Sequence, residues 1–502
     1  MASGSRHLLS HAGIYLVARG VPGAMAFLAI PLFTRLLTPG DYGRYALVAA
    51  AAALINAMLF QWMRLSLVRY LPACQDDPVR LKSTIFTVSL LLVLGIGALG
   101  LLACLLPFAR AWRPVILPCW AVLAAQAFFD LSCEYSRAAI RPWQYMGLQL
   151  VRSACTVGIG ALLIVLGAGW WGPLGGLAFG MTLAVAYAFS RDWADVRLRI
   201  DRQMLRKISV YGVPLSLTVA LTVVIGTCDR FLIAWKLGEN AAGLYSVAID
   251  FTCQTLTLLM LAINLSVFPI AVRAWERDGP GAAREQMKSN AALLLAVGVP
   301  CVVGLSVLSP GIANCFLGSG YREAAAHLMP MVALATFIAG LKAYHFDSAF
   351  QFAHRTIWQV WIVLAAAVAN VALNLFAIPL FGINGSAGAS VLAYGLAIGL
   401  TIWLGRRHFA LPFPLRPCVQ VALAAGAMAL LLLPWRNHIG PLALAAQIAG
   451  GAGAYGVVLI ACDFLDFRIH AASRLARVLP ARNTRLTAGP APVAFASLVE
   501  PK

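Results

Sequence analysis

At 502 residues, 61% hydrophobic and 11% charged, with a mean hydropathy of +0.82, the chain lies far from soluble domains, of which roughly 25% of residues are charged. This composition excludes a string of soluble domains and predicts an all-α polytopic membrane protein. Lipid offers no partner for backbone groups, and the apolar runs lack the alternation of a membrane barrel. The formal charge of +19 does not indicate nucleic acid, because the basic residues sit in short loops between apolar runs, where they set orientation.

A hydrocarbon core of about 30 Å needs ~20 apolar residues per helix. In chain order the segments that meet this are 11–33, 45–66, 84–109, 114–135, 143–168, 173–190, 207–228, 243–270, 289–309, 326–350, 357–380, 385–404, 417–434 and 440–462. The first run follows Arg6 but carries Arg19 and Pro22 and continues past Pro31, which argues against a cleaved signal peptide. A polar hairpin, Thr34-Arg35-Leu36-Leu37-Thr38-Pro39-Gly40-Asp41-Tyr42-Gly43-Arg44-Tyr45, joins it to the second. Trp235 to Tyr245 joins the seventh to the eighth in the same way, with Leu37, Gly43 and Tyr45 falling on Leu237, Gly243 and Tyr245. The placement, at the first turn of each half, predicts an internal duplication.

Six spans separate the two hairpins, so the copies face the same way and the halves are related by an axis along the membrane normal. The expected organisation is a first six-helix bundle over 1–190, a linker over 191–206, a second bundle over 207–404, two further helices over 405–462 and a tail over 463–502 that is partly disordered. The charged linker is expected to form an interfacial amphipathic helix. An even number of spans puts both termini on one side. With that side inside, only Arg44, Arg110, Arg113, Arg230, Lys236, Arg322 and Arg436 of the 38 basic residues fall in outer loops, so both termini are expected in the cytoplasm. The 11 cysteines, most of them inside or at the ends of apolar runs, read as small buried hydrophobes, not as a disulfide or metal framework. Phosphate-cradling Gly-x-x-x-x-Gly-Lys-Ser/Thr, His-Glu-x-x-His and Gly-x-Ser-x-Gly patterns are all missing, so neither direct ATP use nor enzymatic chemistry is expected.

The hairpin, followed by Arg69-Tyr70-Leu71-Pro72, resembles the first helical hairpin of bacterial polysaccharide exporters. Asp229-Arg230-Phe231, Gly238 and Gly243-Leu244-Tyr245-Ser246 resemble the start of their second half. The chain thus resembles the oligosaccharide-lipid flippase branch of the multidrug/oligosaccharidyl-lipid/polysaccharide exporter superfamily, whose members typically have fourteen helices. The resemblance implies a bacterial inner-membrane protein that moves an undecaprenyl-pyrophosphate-linked oligosaccharide to the outer leaflet by alternating access through a cationic cavity. The product would feed O-antigen of lipopolysaccharide, capsule or exopolysaccharide assembly, with a polysaccharide polymerase and a chain-length regulator as partners. No cofactor is expected beyond a coupling proton or sodium ion. Two alternatives stand beside this reading. A multidrug/cation antiporter of the same superfamily would more usually have twelve helices and acidic cavity residues. A membrane-embedded glycan polymerase, ligase or glycosyltransferase would need a sizeable outer loop bearing catalytic residues.

Charges inside spans are costly and face a cavity or a partner. Arg19, Arg152 and Lys342 are therefore the candidate ligands of a sugar-phosphate headgroup, arginine because its planar fork fits phosphate. The rival reading is that Arg19 and Arg152 snorkel to the inner interface and that Lys342, His345 and Asp347 form a neutral network, with Gln351 nearby. Asp250 lacks a sequence-local partner and is the first candidate for a coupling carboxylate. Asp130 and Glu134, four apart, share a helix face and are expected to pair with Arg137, Arg141 or Arg152. Asn370 and Asn374 read as helix glue. Arg35 and Asp41 fix the hairpin turn, with a gate as the alternative. Pro22, Pro31, Pro214 and Pro300 are kink candidates.

Overall fold

The computed structural model describes residues 20–74, 77–106 and 113–464, and among these every regular element is helical. The first half comprises α1 (Gly20–Leu36), α2 (Pro39–Leu59), α3 (Gln61–Tyr70), α4 (Pro78–Leu105), α5 (Arg113–Ala138), α6 (Pro142–Leu163) and α7 (Trp171–Ala188). The rest comprises α8 (Arg202–Leu237), α9 (Glu239–Val307), α10 (Ser309–Phe316), α11 (Arg322–Leu341), α12 (Ser348–Phe352), α13 (Ile357–His408), α14 (Leu415–Leu432) and α15 (Pro441–Ala461). Eleven continuous helical stretches are long and apolar enough to cross a membrane, and the described part of α1 adds a shorter one.

Two of these stretches are too long for one crossing. At about 1.5 Å per residue, the 69 residues of α9 would extend roughly three bilayer cores. Instead the backbone turns at Gly279 (φ 82°), and Leu256 and Met260 of the first arm share a buried cluster with Leu294 of the second. In α13 the turn is at Gly382 (φ 61°), and Ile362 and Ala366 pack with Ala397. Both glycines occupy the left-handed region that side chains disfavour. Each long helix is thus a hairpin of two crossings, giving fourteen crossings among the described residues, with breaks inside the gaps 271–288 and 381–384 expected from hydropathy.

Residues 48–208 build one buried cluster of their own, from Val48 and Leu81 to Trp193 and Ile208. A second cluster joins the halves, with Phe33, Tyr42 and Ala46 against Tyr245, Ala248 and Phe251. α14 and α15 lie outside the duplicated core and lean on the second arm of α9: Ala424, Ala425 and Met428 share a cluster with Leu305 and Leu308, and Tyr455 Oη donates to the Ala296 carbonyl at 2.7 Å.

The duplicated turns meet. α2 opens with Thr38 as cap, Pro39 in the first turn and Asp41 three residues on; Thr38 Oγ1 accepts from the Asp41 N–H at 3.2 Å and donates to Asp41 Oδ2 at 2.8 Å. This start crosses the start of α9 with no side chain between them. A Cβ on Gly43 would overlap the Glu239 carbonyl oxygen, and one on Gly243 would overlap the Pro39 carbonyl oxygen. Equivalent residues of the two copies touch reciprocally, which is the mark of a two-fold relation between the halves. Arg44 Nε to Glu239 at 2.5 Å, Arg35 Nη2 to the Cys315 carbonyl at 2.8 Å and Tyr321 Oη to the Leu37 carbonyl at 3.1 Å close the same end. This end is called the hairpin face below, and the opposite end the linker face.

The connection between the halves is not the amphipathic helix expected over 190–207. A wide helical turn ends at Trp193 and α8 starts at Arg202, with irregular chain between them. Val196-Arg197-Leu198-Arg199-Ile200 alternates with a period of two, which suits extended chain. Its acids are latched to the first half: Asp192 to Arg141 at 2.6 Å, Asp195 to Lys82 at 2.5 Å and Asp201 to Arg80 at 2.6 Å. The tail expected over 463–502 falls outside the described residues from 465 onward.

Candidate transport cavity and buried carboxylate

A cavity of about 570 Å³ lies between α1, α2, α6 and α7 of the first half and α8 and α9 of the second. Arg152 lines it from α6. Gly176 and Gly180 allow α7 to lie directly on the α6 backbone at Gly160 and Arg152, which fixes the helix that carries this arginine. Its guanidinium stands 5.3 Å over the Phe129 ring, and it has no carboxylate partner among the described residues. Thr156, Thr227 and Gln254 supply further polar lining.

Arg230 faces the same cavity, a position the sequence reading had given to an outer loop. α8 continues to Leu237, nine residues beyond the expected end at Cys228, because the charges that seemed to end the span are satisfied inside it. Arg230 Nη2 contacts Asp250 Oδ1 at 2.5 Å, and Tyr42 Oη donates to Asp250 Oδ2 at 3.2 Å. Asp250 therefore has a partner across the α8–α9 turn and also ties the second half to α2. The partner that Asp250 lacks close by in sequence is thus supplied by Arg230 of the preceding helix, which makes it a paired acid in this structure.

A second chamber, of about 370 Å³, lies within the second half behind Gly226, Ile249, Cys253 and Thr257, which line both cavities. Asp229 reaches it, 3% exposed. Its Oδ2 accepts from Tyr245 Oη at 2.9 Å and Ser390 Oγ at 2.7 Å, and its Oδ1 from Asn374 Nδ2 at 3.0 Å. Cys228 Sγ bonds to Asn370 Oδ1 at 3.1 Å, and Ser386 Oγ donates to Tyr245 Oη at 3.2 Å. Among the described residues no cation pairs with Asp229, and the buried Asn374 Oδ1 has no hydrogen-bond partner. Asn374 thus serves a buried carboxylate directly from the first arm of α13, and Asn370 braces its neighbours Cys228 and Ser390, roles that helix glue alone does not describe. Tyr245, equivalent to Tyr45 in the repeat, was visible in the sequence; its Asp229 partner was seen there only as part of the family resemblance.

The other expected residues divide. Lys342 also lines the second chamber, but its ammonium is held by both Asp347 oxygens at 2.9 Å, so these two members of the rival network neutralise each other while His345 does not join them. His345 is fully buried beside this pair with both ring nitrogens unpartnered, and Gln351 is exposed. Asp130 pairs with Arg64 and accepts from Asn56 Nδ2 at 2.7 Å; none of the three arginines expected for it is its partner, because α3 packs on α5 and sets Arg64 against it. Glu134 pairs with Arg137 at 2.8 Å. Arg35 and Asp41 stand in the closed hairpin end as described above. Arg19 lies outside the described residues.

Two six-helix halves, a reciprocal seam and a cavity between them make up a polytopic all-α membrane fold among the described residues. Residues 32–326, more than half the chain, match the family described as polysaccharide biosynthesis protein, and the chain belongs to that family. The fold is similar to lipid II flippase MurJ in an inward closed conformation, with a TM-score of 0.74 at 13% identity over 88% of this chain and 97% of that one. It is also similar to an inward-facing multidrug resistance MATE family transporter, with a TM-score of 0.62 at 14% identity over 79% and 98% of the two chains. The probable flippase AglR of Haloferax volcanii is 25% identical over 241 residues, 46% of this chain and 49% of that protein. The chain spans about half the length, or less, of the curated relatives it matches, at 41% and 49%.

Proposed function

We propose that the protein flips a lipid-linked oligosaccharide, carried on undecaprenyl pyrophosphate, from the inner to the outer leaflet of a bacterial cytoplasmic membrane. In this reading the hairpin face is outer, both termini are cytoplasmic, and the product serves O-antigen, capsule or exopolysaccharide assembly alongside a polymerase and a chain-length regulator. The observation that carries it is Arg152, a guanidinium without a carboxylate partner, in the cavity between the halves. An unpaired charge at that depth is costly unless an anion visits it, and a diphosphate offers the matching geometry. The family match, the transporter fold and the flippases among its relatives support the same class of cargo. No bond is made or broken in this cycle, so the protein acts without enzymatic chemistry.

Asp229 replaces Asp250 as the coupling carboxylate. Neutral donors hold it ready while leaving its charge to be balanced by a proton or a sodium ion, and the free Asn374 oxygen lies beside it. The test is transbilayer movement of purified lipid-linked oligosaccharide in liposomes, with product analysis. Arg152→Gln is expected to lower the rate about 10–100-fold, the scale of a lost charge-assisted bond of about 1.5–3 kcal/mol, at unchanged protein abundance. Unchanged flipping by R152Q, or glycosidic bond formation by the wild type, would reject the proposal.

A further inference from the structure

A third cavity, of about 480 Å³, opens at the linker face where the last turns of α3 and α5 meet α8. It shares no lining residue with the cavity that holds Arg152. Its wall carries three arginines, Arg64, Arg69 and Arg137, against one carboxylate, Glu134. Each arginine is held differently. The Arg64 terminal nitrogens are engaged by Asp130 and Gln61 while its buried Nε has no partner. Arg137 uses one terminal nitrogen on both Glu134 oxygens, at 2.8 Å each. Arg69 has no carboxylate partner among the described residues. Close by, Lys207 lies 4.9 Å over the Tyr70 ring, whose edge meets Tyr211 of the cavity wall at 5.6 Å.

Helix C-termini attract single cations, which accounts for an arginine at the end of α3 or of α5. It does not account for a concave space enclosed by three of them. Asp130 and Glu134 offset two of the three charges and leave Arg69 uncompensated, so the wall stays net positive and open to an anion, and guanidinium forks select oxyanions that accept two parallel bonds. The surroundings indicate what carries the anion. Val210 and Val213 flank Tyr211 on α8 and are 71% and 51% exposed, and Leu217 further along the helix is 50% exposed. An apolar strip therefore runs from the cavity into the membrane-spanning part of α8, where hydrocarbon tails lie.

We propose that this cavity binds the phosphate or diphosphate headgroup of an anionic lipid at the linker-face interface, with Arg69 and Arg137 as its direct ligands and Arg64 as a fixed positive wall. The site is separate from the central cavity and does not depend on what that cavity transports. It gives the protein a place to gather phosphate-bearing lipid at the membrane surface, where basic clusters act most strongly.

The test uses the purified full-length protein in neutral detergent, titrated with phosphatidylglycerol, farnesyl diphosphate, inorganic pyrophosphate or phosphatidylcholine, with the thermal midpoint as readout. Phosphatidylglycerol and farnesyl diphosphate are expected to raise the midpoint and phosphatidylcholine to leave it unchanged. Arg69→Gln with Arg137→Gln should weaken the apparent affinity for both at least about tenfold, or ~1.4 kcal/mol, while Arg152→Gln retains the phosphatidylglycerol response. Arg69→Lys with Arg137→Lys keeps the charge, loses the forks and should fall between the two; it serves if the glutamine pair does not fold. Pyrophosphate binding as tight as the lipids would support the site and assign it to the free anion, and tighter lipid binding would assign it to the headgroup. Wild-type affinities in both double variants, or loss of all phosphatidylglycerol binding in R152Q, would overturn the proposal.

Discussion

The two inner cavities share a wall yet solve opposite electrostatic problems. On the seam side, Arg152 is a bare cation and Arg230 is cancelled by Asp250, so the space is net positive. Within the second half, Asp229 is a carboxyl without a counter-cation, ringed by a tyrosine, a serine and an asparagine, while Lys342 and Asp347 cancel each other. Each cavity thus contains one neutralised pair and one group left without a counter-ion. Neutral donors stabilise a carboxylate without occupying the place of a counter-cation, whereas a salt bridge fills it. The difference separates groups that hold the halves in shape from groups available to a visiting ion.

This contrast can be broken most sharply at the neutralised pair. Arg230→Gln strands Asp250 in a partly buried site and is expected to lower stability by about 3–5 kcal/mol, the usual cost of removing one partner from a buried pair. Adding Asp250→Asn should recover more than half of this, measured by denaturant titration in detergent micelles; equal loss in the single and double variants would remove the pair from the structural account. At the open carboxyl the effect on stability is smaller, about 1–3 kcal/mol for Asp229→Asn, because the ring of donors loses an acceptor but no ion is stranded. Its larger signature is functional. Flipping in liposomes should become indifferent to imposed sodium and proton gradients, and a D229N protein that still follows either gradient would move coupling elsewhere.

The linker supplies a control outside both cavities. Asp201 caps α8, and the Met204 N–H that donates to it at 2.8 Å, followed by Arg80, holds its carboxyl below the ordinary value of 3.8. A depressed folded value means that its stabilisation is present above that ordinary value and is lost as pH falls through the lower one. Asp201→Asn should therefore flatten the acid-side dependence of the thermal midpoint below about pH 4, and leave flipping at neutral pH unchanged. A midpoint whose acid slope is the same in D201N would show that this cap does not titrate with folding.

Hydropathy alone carried most of the fold. The crossings, the breaks near Gly279 and Gly382 and the doubled hairpin are all properties of runs and spacings, which a sequence displays directly. The site was legible only in part. Arg152 stood out because one charge interrupts an apolar run. Asp229 and Arg230 did not, since two adjacent charges look like the end of a span, and the groups that keep them inside it, Tyr245, Ser390, Asn374 and Asp250, come from 16 to 161 positions away. Asp130 was matched with the wrong arginines for the same reason: Arg64 is 66 positions off. The linker differs, because its charge suits an interfacial helix while its two-residue alternation suits extended chain, and the backbone follows the alternation.

The reciprocal contact of Gly43 and Gly243 bears on how such a chain arose. A protein made of one half only, pairing with a second copy of itself, would set this glycine against its own counterpart at the symmetry axis. One residue then serves both sides of the junction. Fusing two copies of the gene would inherit a working joint intact, and each glycine is then held to its residue type by the other copy's turn, Gly43 by the Glu239 carbonyl and Gly243 by the Pro39 carbonyl.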